Sequence, residues 1–558
     1  MPGSRISRYG RLIIFLLTGA FLIYTVASTS LYSISPTELG LVSKLPMAFW
    51  IGLVLLGCLW FSCLKGPSKY QILALMLTVS YVYVAPAVIR TPVWVSESYY
   101  PYGESLLINS QGHLVNRENA PLTSYQYWPL FLYLASNFKL VTGIPDSTIL
   151  KFFPLLTISM YGVLTFLILR LRLKAPFAVF GAALFLSSLF IRQQYFGPQG
   201  IAYMFFLLIV LVESQLFFDD KTKERTLATL YLFLFIVITL THALTSFLAL
   251  VVIVALYFGS RLIHKNPPAI TARLCIFSAL FLFFYNMFSA PRFFSLSVEA
   301  LSRSIAGIGQ LGISRELSRI SGSPAQRMSY VTSWSIVFLV GFIAAIQILL
   351  MLNGFRSRKQ PDKEGFSVFA VIWLVLVSLF AVTAVYGSNE AYQRAFMFGL
   401  IPLTYLCVRL LSKKPRILVL VLCGLLFLNI PAQYGSDTYR LATNAVLTGT
   451  SFFVHSTPQN ITCLYSFYPH IRYFDPVKNV EFINIPGTLP FTSVPNSTTA
   501  QKTVSKAEYI IRSDLQHNYY LYFLREDPLD KVDFGRFNQV YDDQSFRVFM
   551  HPNATSLP

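Results

Sequence analysis

The chain has 558 residues, of which 54% are apolar and 16% aromatic, while only 12% are charged. A soluble protein of that length would divide into several domains with about twice that charged fraction, so the composition excludes a soluble multidomain enzyme and points to a chain dissolved in lipid. The formal net charge of +19 sits largely in short clusters between apolar runs, which assigns it to topology and anionic headgroups and excludes nucleic acid as the partner.

Apolar runs of about 15 to 22 residues, each roughly long enough to cross ~30 Å of hydrocarbon as a helix, recur along the first three quarters of the chain. The predicted spans are Leu12–Ser28, Leu45–Leu64, Tyr70–Ile89, Leu150–Leu169, Pro176–Ile191, Pro198–Phe218, Leu227–Leu240, Ala243–Tyr257, Leu274–Ser289, Trp334–Leu352, Phe366–Tyr386, Phe396–Leu411 and Ile417–Ile430. The first lies far from any small-residue cleavage site and reads as an anchor rather than a removable signal. The stretch Leu227–Tyr257 is long for one crossing and short for two, and Thr241, His242 and Thr245 supply its only polar break. Reading it as two crossings puts every other loop on a consistent side.

The basic residues test that count through the positive-inside rule. Arg5–Arg11, Lys65–Lys69, Arg170–Lys174, Lys221–Arg225, Arg261–Arg273, Arg356–Lys363 and Arg409–Arg416 hold half of all Lys and Arg and alternate with poor loops. The N-terminus is therefore expected in the cytoplasm, and thirteen crossings bring the C-terminus outside. The three Asn-x-Ser/Thr sequons, at Asn460, Asn496 and Asn553, all fall in that outer tail, where glycosylation of such motifs takes place. Of six cysteines, five sit in or beside spans and Cys463 stands alone in the tail, so neither a disulfide framework nor a CxxC metal site follows.

Three outer segments are long: Arg90–Lys151, Pro291–Ser333 and the chain after Pro431. Loops longer than a helix bundle needs are more often sites than spacers. The first predicts an amphipathic helix from near Tyr102 and a more apolar one over Trp128–Val141, both lying in the interface. It places the carboxylates Glu97 and Glu104 at the membrane boundary, where an acid is costly unless used or paired. The competing reading, solvated loop charges, suits Glu104 better than Glu97. The second loop carries Arg292, Arg303, Arg315, Arg319 and Arg327 against Glu299 and Glu316 on the side where basic residues should be scarce. Guanidinium groups grip phosphate oxygens with two donors; an amphipathic helix on anionic headgroups accounts for them equally well.

Shorter outer loops add Arg192, Gln194 and Tyr195 before the sixth span, and Glu390 and Arg394, one helical turn apart and able to pair, before the twelfth. His242, in the break, is of a kind more often hydrogen-bonded at an interface than catalytic. After Pro431 the composition turns polar. The runs AEYIIRSD, FNQVYDD and SFRVFMHP predict strands and Asp437–Phe453 a helix, giving a small α/β domain over 434–558 packed outside a membrane domain over 1–433.

With these residues in place, the chain resembles the GT-C superfamily of polyprenyl-phosphate-dependent glycosyltransferases, mannosyltransferase-like or oligosaccharyltransferase-like and of prokaryotic or archaeal type. The likeness rests on Glu97-Ser98-Tyr99-Tyr100-Pro101, Gly112, Tyr127-Trp128-Pro129 and Leu140-Val141-Thr142-Gly143 in the first outer loop. Gln194-Tyr195-Phe196-Gly197-Pro198-Gln199 ahead of a long span and the late Glu390…Arg394 extend it. The resemblance implies an all-α polytopic bundle of GT-C type with a small outer α/β domain. It implies transfer of a hexosyl unit from a polyprenyl (dolichyl) phosphate-linked donor to a glycan, lipid or protein acceptor outside the cytoplasm of the cell membrane, with Glu97 as the catalytic carboxylate. Arg394, with Arg192 and the loop arginines Arg303, Arg315 and Arg319, would meet the donor phosphate, and Tyr99, Gln194, Tyr195, His242 and Glu390 would line the site, with Glu104 the second candidate acid.

The chain departs from the family in several respects. It has Glu where many members have Asp, more helices ahead of the loop than many, no Asp-x-Asp or Glu-x-Asp pair for a divalent metal, and no Trp-Trp-Asp signature. Single-sugar transfer is accordingly expected rather than transfer of a whole oligosaccharide. No cofactor is indicated, a divalent metal is left open, and oligomeric state is not encoded in any motif. A transporter or lipid flippase is the alternative class, as is a non-enzymatic membrane protein with an outer binding domain. Transporters usually carry internal repeats and mid-bilayer charges; no repeat is evident, and Glu213 is the only acidic residue inside a span. The topology makes one outcome testable: protease added to intact cells or spheroplasts should cut the tail after Tyr434, and protection of the tail would contradict the count across Leu227–Tyr257.

Overall fold

The structure is a computed structural model that describes residues 8–29, 38–64, 68–90, 96–113, 125–191, 195–218, 223–263, 269–306, 323–356, 365–383, 390–465, 471–478, 480–485 and 497–554. The chain is an integral, multi-pass helical membrane protein. Ten of the helices among the described residues are long and apolar enough to cross a bilayer, because an apolar run in lipid can satisfy its backbone only within itself. In chain order the membrane part contains α1 (Arg8–Ser28), α2 (Met47–Cys63), α3 (Ser68–Val79) continued through a π turn into α4 (Ala85–Ile89), then α5 (Tyr99–Gln111) and α6 (Leu130–Thr142). There follow α7 (Asp146–Arg170), α8 (Ala175–Ser188), α9 (Pro198–Phe218), α10 (Glu224–Thr241), α11 (Ala243–Ile263), α12 (Ala269–Ser289) and α13 (Pro291–Ala306). The last four are α14 (Pro324–Arg356), α15 (Gly365–Thr383), α16 (Glu390–Leu411) and α17 (Pro415–Tyr434).

Every predicted span corresponds to a helix, and Leu227–Tyr257 forms two, separated at His242. The helix predicted over Pro176–Ile191 stops earlier, at Ser188, leaving Leu189–Ile191 buried but not helical. Side chains knit the bundle where backbones meet. Tyr81 Oη donates to the Thr18 carbonyl at 2.8 Å, Trp60 Nε1 to Thr78 Oγ1 at 3.1 Å, and Tyr203 Oη to the Met397 carbonyl at 2.8 Å. Phenylalanines such as Phe338 and Phe342 on α14 stay exposed on the protein surface, as lipid-facing positions should.

The C-terminal tail, expected on the outer side and called the outer domain below, holds α18 (Asn444–Ser456), β1 (Ile461–Leu464), α19 (Ile471–Phe474), β2 (Val480–Ile483), α20 (Ser497–Val504), β3 (Tyr509–Ser513), α21 (Asp514–Leu524), β4 (Asn538–Asp542) and β5 (Phe546–Met550). The strands form one sheet in the order β2-β1-β3-β5-β4, with β1 parallel to both neighbours and the β3-β5 and β5-β4 pairs antiparallel. Period-two alternation divides the core. Tyr509, Ile511, Phe546 and Val548 pack with Val446 and Phe453 of α18, whereas Ile510 and Phe549 pack with Ala500 and Val504 of α20. The helix predicted over Asp437–Phe453 is split into a 3-10 turn at Asp437–Tyr439 and α18. The physical reason is local: Thr443 caps the first turn of α18 by accepting from the Val446 N–H, and Asp437 is committed elsewhere.

That commitment is an ion pair between Arg90, at the end of α4, and Asp437, both side chains essentially without solvent. The guanidinium also lies 4.4 Å from the centre of the Tyr434 ring, and the Tyr434 hydroxyl donates to the Val82 carbonyl. Gly40 approaches from the other side with φ of +58°, where a Cβ would strike the Tyr434 carbonyl oxygen, so only glycine suits both the backbone and the space. Breaking one half of a buried pair strands the other charge and costs roughly 3–5 kcal/mol, whereas replacing both with apolar groups costs far less. Arg90→Met alone should therefore lower the thermal stability of the detergent-solubilised protein severely. The double variant Arg90→Met/Asp437→Leu should recover most of the loss; equal and additive losses would show that the pair is not coupled.

Candidate functional site

The first outer loop is built downward from that pair. Six residues past Arg90, the Ser96 N–H donates to the Arg440 carbonyl at 2.9 Å, tying the loop to the start of the outer domain. Ser96–Ser98 form a 3-10 turn that presents Glu97, half-buried, with the Ser96 hydroxyl donating to its Oε2 at 3.3 Å. α5 then runs under the outer domain rather than along an open interface. Tyr99 meets Tyr473 edge-on at 4.9 Å, Tyr102 meets Phe196 at 5.2 Å, and the Tyr102 hydroxyl donates to Asp146 Oδ1 at 2.7 Å. Burial pushes the Tyr99 and Tyr102 hydroxyls well above the ordinary phenol range, Asp146 adding to the effect on Tyr102.

Glu104 is buried and forms an ion pair with Arg472 of α19. Gly103 makes that approach available, since a Cβ there would lie 2.7 Å from Arg472 backbone and side-chain carbons. Burial lowers the Arg472 guanidinium from its ordinary range. The two carboxylates of the loop thus differ in kind: Glu104 joins the outer domain to α5, and Glu97 stands at the head of the helix on a short turn.

An aromatic line begins three residues after Glu97. Tyr100 lies 5.7 Å from Tyr125, the Trp128 N–H donates to the Tyr125 carbonyl at 3.0 Å, and Trp128 meets Phe293 of α13 edge-on at 4.9 Å. The Tyr285 hydroxyl donates to the Tyr127 carbonyl at 2.6 Å. Trp128 shares an apolar cluster with Ala290 and with Ala243, the first residue of α11. Its neighbour His242 has an extended backbone that ends α10, and its Nδ1 accepts from the Thr245 N–H at 3.3 Å and lies 2.9 Å from the Thr245 hydroxyl. An accepting Nδ1 leaves the proton of the neutral ring on Nε2. Burial, and after it the positive charge of Arg394, hold the imidazole below the ordinary histidine range, which brings the first turn of α16 into the same neighbourhood. Arg394 itself is half-buried.

The remaining sequence candidates divide. Tyr195 packs half-buried against the main membrane core while the adjacent Phe196 belongs to the α5 cluster. Glu390 opens α16 and Arg303 lies in α13, but their side chains, like all of Arg192, Gln194, Arg315, Arg319 and Asn496, lie outside the described residues. Asn460 and Asn553 are exposed. Arg90, Asp437 and Arg472 were not among the sequence candidates. Arg90 carried a signal, because a basic residue at the outer end of a span departs from the positive-inside pattern; the other two are ordinary residues of a polar tail.

One group of potential metal ligands occurs among the described residues: His517, Asp527 and Asp530, whose ligand atoms all lie within 4.8 Å of one another. His517 Nδ1 is 2.8 Å from Asp527 Oδ2, and Arg512 pairs with Asp530 and reaches within 4.0 Å of Asp527. The Arg512 guanidinium already supplies the positive charge there, and Asp527 also accepts from the Leu529 N–H at 2.8 Å. The arrangement reads as an outer-domain ion-pair network.

No family model and no curated protein matches the chain. Among solved structures, ArnT from Cupriavidus metallidurans in the apo state is similar over 86% of this chain and 98% of that one, at 11% identity and a TM-score of 0.38. The same protein bound to undecaprenyl phosphate gives 86% and 97% coverage, 11% identity and a TM-score of 0.36. A likeness of this degree assigns neither family nor activity.

Proposed function

We propose that the chain is an integral membrane glycosyltransferase that moves a sugar from a polyprenyl phosphate-linked donor to an acceptor hydroxyl outside the cytoplasm. The observation that carries the reading is the set of contacts that begins three residues after Glu97, from Tyr100 to Tyr125 and Trp128, and brings Trp128 into one cluster with Ala243, the neighbour of His242, whose imidazole feels the charge of Arg394. A half-buried carboxylate at one end, a guanidinium at the other and tyrosine and tryptophan faces between them are the parts that sugar transfer from a lipid phosphate requires.

In this reading the Glu97 carboxylate takes the proton of the acceptor hydroxyl as its oxygen attacks the anomeric carbon. The bond from that carbon to the phosphate oxygen breaks, and the lipid phosphate leaves with the electron pair. The donor already carries a good leaving group, so the protein's work is to supply a base and to stabilise the departing charge. Arg394 stands at the first turn of α16, where its guanidinium would face a phosphate lying along the bundle from the lipid side. His242, neutral and with its Nε2 proton available, is a second donor in the same neighbourhood. The arginines of the second long loop, Arg303, Arg315 and Arg319, would be further partners for the donor phosphate. Glu104 is spent on Arg472 and serves as support.

The two carboxylates therefore separate in experiment. Glu97→Gln should reduce sugar transfer about 10²–10⁴-fold while donor binding persists, because the amide keeps the shape and loses the base. Glu104→Gln should instead lower thermal stability with a smaller change in turnover of the folded fraction. Turnover retained in Glu97→Gln, or lost equally in both without loss of stability, would dismiss the assignment of Glu97.

A further inference from the structure

Glu213 lies in the second half of α9, and the protein itself shuts it off completely from the surroundings. Neither carboxyl oxygen has a hydrogen-bond partner among the described residues, and no Lys, Arg or His there pairs with it. The Tyr231 hydroxyl of α10 and the Cys275 thiol of α12 lie within reach of its charge. Tyr231 Oη is in turn 2.9 Å from Ser278 Oγ on α12, and both of those side chains are wholly buried. α7 and α11, which also pack on α9, bring no ion-pair partner to it among the described residues. The groups set around this carboxyl are neutral.

Three things make a carboxyl tolerable away from water: an ion pair, a bound metal cation or a proton. The first is absent among the described residues. The second needs several hard oxygens, whereas the neighbours are a thiol that donates to the Ile253 carbonyl at 3.5 Å and two hydroxyls that bond to each other. A proton needs one oxygen only. An isolated carboxylate loses its hydration with nothing in exchange, a far larger penalty than a neutral carboxyl meets, so such a group is neutralised instead. Acids inside a helical bundle of this kind are rare and usually functional.

We propose that Glu213 is a proton-binding site: the folded chain holds its carboxyl in the neutral form at neutral pH, and α9, α10 and α12 close around it only while that proton is bound. Release of the proton would leave a bare charge among packed helices, so it requires them to part and admit water or a cation. The packing of these helices is thereby linked to proton binding at one residue. The inference rests on the surroundings of Glu213 alone and stands apart from the sugar-transfer reading.

The test uses the purified full chain in nanodiscs and the variant Glu213→Gln, whose amide copies the shape of a neutral carboxyl and cannot titrate. The folded parent then binds one proton more than its unfolded chain, where a glutamate ionises above about pH 4, so its stability falls as pH rises relative to the variant. The unfolding temperature of the variant should gain roughly 3 °C on that of the parent between about pH 5 and about pH 8. Dicyclohexylcarbodiimide, an apolar reagent that attacks protonated carboxyls, should label the parent at Glu213 at about pH 8, where exposed carboxyls are ionised. Peptide mass mapping should find that label equally in sodium chloride and in choline chloride. A difference between variant and parent that stays constant or turns against the variant as pH rises, or no label at Glu213, would overturn the proposal. So would a label that sodium suppresses, which would put a metal cation in place of the proton. The labelling arm needs no substitution and decides the matter if the variant fails to fold.

Discussion

A guanidinium and a carboxylate hidden from solvent at the end of α4 join the helical bundle to the C-terminal α/β region. Removing both ions from water carries a desolvation cost of several kcal/mol each, and such a pair persists only where its geometry and additional contacts offset that cost. Here the Tyr434 ring lies against the Arg90 guanidinium, Tyr434 is anchored to the Val82 carbonyl, and Gly40 permits the close packing. The pair joins the residue that follows α4 to Asp437 near the start of the C-terminal domain, so two segments nearly 350 positions apart in sequence are brought into contact. The Ser96–Arg440 backbone bond and the Glu104–Arg472 pair continue the same seam. Together these contacts set the position of the Glu97 turn.

Much of the bundle was legible in the sequence because lipid imposes a strong local rule. A run of apolar residues in lipid is driven to become a helix, and each predicted segment contains one among the described residues, although the fifth stops at Ser188. The rule is weaker where polar groups can replace the helical hydrogen bond. At Leu189 the Tyr83 hydroxyl and the Asn429 amide take over carbonyls that a longer α8 would have used internally, and that substitution depends on residues about a hundred and two hundred and forty positions away. The His242 break was visible because its polar residues interrupt the apolar run in place.

The outer domain was half legible. Strands β3, β4 and β5 show alternation that can be seen in a single segment, whereas β1 and β2 are four-residue strands whose place in the sheet comes from parallel pairing. Asp437 looked like part of a helix because nothing nearby in sequence reveals its partner. The candidate site shows the same division. Glu97 drew notice as an acid at the membrane boundary and Arg394 as a possible partner of Glu390, while the roles given to both come from the family resemblance and belong to the proposal. The fate of Glu104 could not, because Arg472 reaches it only after the outer domain has folded over α5. The aromatic line from Tyr100 to Trp128 was visible as composition, but its direction toward His242 is a property of how α6, α11 and α13 pack.

In the proposed mechanism the Glu97 turn and the start of α16 are two sides of a single reaction space, with a lipid phosphate between the membrane and the C-terminal domain. The most direct test is an experimental structure of the full chain in nanodiscs with a polyprenyl phosphate bound. The phosphate is expected to lie against the Arg394 guanidinium, with Glu97 bordering the space on its outer side and the tyrosines between them. A phosphate seated away from Arg394, or a Glu97 walled off from it by the packing of α5 and α6, would contradict the account.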